Sequence, residues 1–170
     1  MKLTDMLTLG VTRVRKHHAL EHATLQILSG RKPQVSSGGY SDPQGFWIIG
    51  NFSAEEILQA AQEAVTRLQN GERGLAVHPH CGTNFVASGL AAGSAAWLAM
   101  LPPASSLRRR VDRWPLVVSL VTVALMLSAP LGPWLQMKVT TDSKIGKLKI
   151  AQVIRYPRNG LVLHRIKTEG

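Results

Sequence analysis

The residues best suited to chemistry are His18, Glu21 and His22, which stand in the order H-x-x-E-H within HHALEHATLQIL. Residues four apart on a helix lie one turn above one another, so both imidazoles can converge on one ion while Glu21 reaches the side of that site. A metal held by neutral imidazoles acidifies its water, and a nearby carboxylate can take the proton as the resulting hydroxide attacks a carbonyl. Further donors occur in HPHCGTN, where His78, His80 and Cys81 fall within four positions. Imidazole and thiolate are the ligands that zinc prefers, so Zn2+ is the expected ion, with another divalent transition metal as the alternative. The competing reading makes His18 and His22 satisfied polar residues of an interhelical contact and Cys81 a small buried hydrophobe.

These donors need rigid elements to hold them. From Thr4 to about Leu28, Leu7, Val11, Val14, His18, His22 and Leu25 recur at three- and four-residue steps, which draws one face of a helix. Gly30 and Pro33 favour its end. His17 points about a quarter turn away from His18 and is expected as an exposed base facing the membrane. Two β-prone stretches, Gln34 to Ser37 and Phe46 to Ile49, flank a loop of Gly, Ser, Asp and Pro and predict a hairpin. Ser53 with Glu56 makes a capping box, and Ile57, Ala60, Ala61, Ala64, Val65 and Leu68 mark the inner face of the helix that follows.

Two apolar segments come next. Residues 85–101 carry no charge, and Gly89 and Gly93 form G-x-x-x-G, which allows close approach of a second helix or of a homodimer partner. Residues 114–135 are also uncharged, with Trp114 and Trp134 placed at two interfaces and Pro130, Gly132 and Pro133 disposed to finish the helix. A basic loop, 102–113, joins them. Lys149 to Ile154 and Leu161 to Ile166 are β-prone and flank Asn159-Gly160, a hairpin turn signal. His164 belongs to that hairpin and is expected to be unrelated to the donors.

The predicted fold is therefore mainly α with small β-hairpins, an α+β arrangement. A metal-binding helical domain (1–84) precedes a transmembrane hairpin of two helices (85–135) and a basic β-hairpin tail (136–170). Of the net charge of +10, the tail carries +6 and the loop +3, whereas residues 1–84 carry only +1. Basic residues beside apolar spans suit an anionic lipid surface, and no basic recognition helix is evident, so nucleic acid is not expected as a partner. The single cysteine excludes an intramolecular disulfide. The opening residues lack a long apolar core and a small-residue cleavage site, so no signal peptide is expected to be removed. The distribution of basic residues leans towards a protein that spans the cytoplasmic (inner) membrane twice with both termini in the cytoplasm.

H-x-x-E-H followed by H-P-x-C-G-T-[NS]-F resembles the uncharacterised bacterial membrane proteins of the YqhQ type, which are described as predicted metal-dependent enzymes. The resemblance covers His18 to Leu25 and His78 to Phe85. It implies His18, Glu21, His22, His78 and Cys81 as the site and leaves His80 at a variable position. The order H-x-x-E-H is also similar to that of the pitrilysin-type inverzincin peptidases, whose two histidines bind zinc and whose glutamate is the base. Those enzymes are larger and draw a third ligand from a downstream glutamate.

Ligand number separates two functions. His18, His22, His78 and Cys81 together would fill a tetrahedral zinc and make a structural site, as in a non-catalytic membrane scaffold. If only one of His78 and Cys81 binds, the fourth position is open and Glu21 becomes a general base. The expected function is then a membrane-embedded hydrolase acting on a membrane-associated protein or peptide. Glu21 could instead orient a ligand or pair with Arg13, Arg15 or Lys16.

Overall fold

The computed structural model describes residues 3–101, 106–158 and 161–170, with side chains from residue 8 onward in the first helix. The fold is α+β, and the chain forms two compact units, Met1–His78 with Gln136–Gly170 and Pro79–Leu135.

In the first unit, helix α1 (Leu3–Arg31) is the central element. From 17 to 28 every residue is buried except His18 and Gln26, which are half-buried. A helix enclosed all round shows little amphipathic signature, which is why three- and four-residue spacing misjudged its inner face. Val11 is exposed, whereas Ala19, Leu20, Ala23 and Leu28 are in the core. Helix α2 (Ala54–Gln69) follows the predicted pattern: Ser53 and Glu56 exchange both capping-box hydrogen bonds, and the six predicted inner residues are the buried ones. It packs on α1.

Four antiparallel strands, β1 (Gly38–Asp42), β2 (Gly45–Ile49), β3 (Lys149–Arg158) and β4 (Leu161–Glu169), form one sheet in the order β1-β2-β4-β3. The first strand begins later than the β-prone 34–37, because the chain turns just past Pro33, with Val35 N donating to Lys32 O at 3.1 Å. Residues 149–169 are no separate tail hairpin, since β4 pairs with β2 and so lies inside the sheet. The Asn159-Gly160 turn lies outside the described residues. Phe46, Ile48, His164 and Ile166 are fully buried. Strand alternation puts Trp47 and Arg165 on the opposite face. There the Arg165 guanidinium lies over the Trp47 ring and grips both carboxylate oxygens of Asp42 at 2.6 and 2.8 Å. A Cβ at Gly45, whose φ is +149°, would collide with the Ile166 carbonyl, so glycine is needed where β2 leaves its turn against β4.

The second unit consists of α3 (Gly82–Met100), α4 (Leu107–Val111), α5 (Trp114–Ser128) and α6 (Leu131–Leu135). Helix α3 packs on α5 and α6, and Ser88 near its start meets Ser128 at the end of α5. Among the described residues, one helical stretch, Leu107–Ser128, is long and apolar enough to cross a membrane. The expected pair of spans is thus not found. Thr83, Asn84, three glycines and two serines dilute the apolar character of α3, and α5 stops at Ser128 just ahead of Pro130 rather than continuing to residue 135. Nor do Gly89 and Gly93 mark a close helix contact among the described residues, because a Cβ on either would meet nothing within 4 Å there. The close approach occurs instead at Gly132, where a Cβ would strike Asn84.

Candidate metal centre

His18 and His22 face the same way from α1, with ring centroids 4.2 Å apart. Each ring is fixed by a backbone carbonyl from outside the helix. His22 Nδ1 donates to Ala76 O at 2.8 Å, and His18 Nδ1 donates to Thr140 O at 3.0 Å. A carbonyl can only accept, so Nδ1 carries a proton in both rings, and in the neutral ring Nε2 carries the lone pair. Both histidines are therefore held in the tautomer that ligates through Nε2, an arrangement that orients metal-binding imidazoles and raises their basicity.

The two carbonyls are themselves held in place. Ala76 ends a 3-10 turn, Arg73–Ala76, and Gln26 Nε2 on α1 donates to the carbonyls of Leu75 (2.9 Å) and Val77 (2.8 Å) beside it. Thr140 ends a π-helical turn, Gln136–Thr140. The fully buried Gln136 accepts from His78 N at 2.8 Å and donates to His78 O at 3.1 Å. Gln26, Gln136 and the two carbonyls were not foreseen from the sequence. A backbone acceptor has no residue signature, and a glutamine becomes informative only once its partner segment is known.

Among the described residues, His18, His22 and Cys81 form a group that could hold a metal ion. Cys81 is buried and is the N-cap residue of α3. Two imidazoles with Nε2 lone pairs and a thiol suit zinc chemically. The His78 ring lies beside His22, at 5.5 Å between centroids, without joining that group. His80 is exposed.

Glu21 is buried, and its Oε2 accepts from the Ser41 hydroxyl at 2.6 Å. Its Oε1 rests against β1, where a Cβ on Gly39 would come within 2.9 Å of it. Glycine at this position therefore makes room for the carboxylate. Glu21 is not one of the three residues of that group.

His17 departs from expectation. It is 1% exposed rather than facing outward. Its Nδ1 donates to Asp42 O and its Nε2 accepts from the Thr168 hydroxyl, both at 2.7 Å. Desolvation holds its pKa below the usual histidine value, with the Asp42 interactions opposing that shift. His17 thus ties α1 to the β1–β2 turn and to the end of β4. His164 is likewise buried within the sheet, and desolvation lowers its pKa.

Residues 13–153 match a family described as a domain of unknown function (DUF6391). The chain is also 32% identical over 142 residues to an uncharacterized protein of Picosynechococcus sp. (strain ATCC 27264 / PCC 7002 / PR-6). That match covers 75% of this chain and 65% of the relative, so the chain spans just under two thirds of that protein's length. No solved structure matches. The likenesses to the YqhQ type and to the inverzincins remain at the level of the motif. His18, Glu21, His22, His78 and Cys81 all lie inside the matched residues, and the chain belongs to the DUF6391 family.

Proposed function

We propose that this chain is a membrane-associated zinc-dependent hydrolase, possessing a site of three protein ligands with the fourth coordination position left for water. The observation that carries the reading is that His18 and His22, neighbours on α1, are both fixed in the tautomer that ligates through Nε2, with Cys81 as the third residue of a group, among the described residues, that could hold a metal ion. Three protein ligands characterise catalytic zinc, and four characterise structural zinc. A zinc ion there supplies the acidity that lets water act as a nucleophile at neutral pH. Glu21 is the candidate general base. In that role its carboxylate would exchange part of its bond to Ser41 for the water proton, which makes Ser41 a positioning residue. A peptide or protein at the membrane is the proposed substrate class, and the apolar stretch Leu107–Ser128 is the proposed lipid contact.

A second reading is favoured by the His78 ring beside His22. If His78 completes the coordination, the zinc is structural and Glu21 only braces β1. Purified protein in mild detergent separates the two by metal analysis, by X-ray absorption at the zinc edge and by hydrolysis of a fluorogenic peptide library. The hydrolase reading expects stoichiometric zinc with three protein ligands. It also expects a Glu21→Gln variant that keeps the metal and loses at least ~100-fold in rate, and a His18→Ala variant that loses both. Four protein ligands, or full activity in Glu21→Gln, leave the structural reading. A wild-type protein that takes up no zinc ends both.

A further inference from the structure

One cavity of about 390 Å³ lies within the first unit and is bounded by Arg15, Arg73, Lys138 and Lys144, with Asp142 as the acidic side chain of its lining. Four cations against one carboxylate, with Arg73, Lys138 and Lys144 exposed and Arg15 half-buried, form a strongly positive recess. Its frame is fixed by backbone bonds. Arg15 Nη2 donates to the carbonyls of Lys138 (3.0 Å) and Thr141 (3.1 Å), and Asp142 N donates to Arg15 O at 3.0 Å. The carboxylate of Asp142 is partly occupied, with Oδ1 accepting from Lys144 N at 3.0 Å. The Nε–H of Arg15 is buried with no hydrogen-bond partner.

We propose that this cavity binds a phosphate group, with Arg15, Arg73, Lys138 and Lys144 supplying the charge. The excess of cations matches a dianion better than a single carboxylate, and arginine suits the geometry of phosphate oxygens. The cavity is contiguous with the candidate metal centre through the chain. Arg15 precedes His18 by one helical turn, and the lining residue Ala76 contributes the carbonyl that fixes His22. The phosphate would belong either to a lipid headgroup or to a free phosphate ester. Its role as an anchor for the hydrolase substrate rests on the proposed metal site, whereas its binding does not.

The test is a calorimetric titration of the full chain in detergent with inorganic phosphate at constant ionic strength, before and after removal of metal by a chelator. Saturable binding in both states is expected, weakened at least ~10-fold in Arg73→Gln/Lys144→Gln and unchanged in Lys147→Gln/Lys149→Gln, whose residues lie outside this cavity. Binding without saturation, or equal weakening in both double variants, overturns the proposal. Vesicles of phosphatidylcholine with and without phosphatidylglycerol identify the source. Competition by the anionic vesicles that is lost in Arg73→Gln/Lys144→Gln assigns a lipid headgroup, and phosphate binding without such competition assigns a free phosphate ester. Phosphate binding by a protein that takes up no zinc sinks the metal reading alone, and zinc uptake without phosphate binding sinks this one alone.

Discussion

His17 and His18 are adjacent in sequence and differ in what their rings can do. Both have Nδ1 committed to a carbonyl, but the Thr168 hydroxyl donates to Nε2 of His17. That hydrogen bond uses the lone pair a metal would need, so the first histidine of HHALEH is a structural bolt. Its burial has a consequence for pH. Desolvation lowers the folded-state pKa of His17, and also that of His164, below the ordinary histidine value of 6.5. The unfolded chain therefore binds more protons in the window just below 6.5, and stability falls as the pH drops through it. Metal-stripped protein should lose melting temperature on acidification from about pH 7.5 to 5.5, and His17→Gln should flatten part of that slope. A flat wild-type profile would contradict the assignment.

At the scale of elements, α2 was the most legible part of the chain. Its capping box and its inner face both use side chains that are close in sequence, so local spacing carries the information. Replacing Ser53 with Ala should cost about 1 kcal/mol, read as a shifted denaturation midpoint with an unchanged denaturant slope. An unaffected midpoint would mean that tertiary packing alone holds the start of α2. The sheet was far less legible. Both hairpins had local signals, but the pairing of Ile48 with His164 joins distant parts of the chain and cannot be seen in either segment. The metal centre was partly legible for the same reason. His18, His22 and Cys81 are marked by residue type and spacing, while the carbonyls of Ala76 and Thr140 that set their tautomers are not. Spacing also overread the apolar segments: G-x-x-x-G is present, yet among the described glycines of the second unit the tight contact is between Gly132 and Asn84.

For the molecule as a whole, the first unit is made from two distant stretches of chain, Met1–His78 and Gln136–Gly170. The second stretch supplies two of the four strands and the carbonyl that holds His18. The last residue of one stretch and the first residue of the other are His78 and Gln136, and two hydrogen bonds join them. The 57 residues between them thus leave and return at nearly one point. Such a layout is that of a guest segment spliced into a host fold. A bridge of a few Gly and Ser residues could close so small a gap at little entropic cost. A chain with residues 79–135 excised and bridged in this way should fold in the absence of detergent and give the circular dichroism of a mixed helix and sheet domain. It would also lack Cys81, so a host with its two histidines intact and its zinc affinity sharply reduced is the outcome expected if Cys81 is the proposed third ligand. An aggregated or unfolded host would mean that the guest is part of the fold it interrupts.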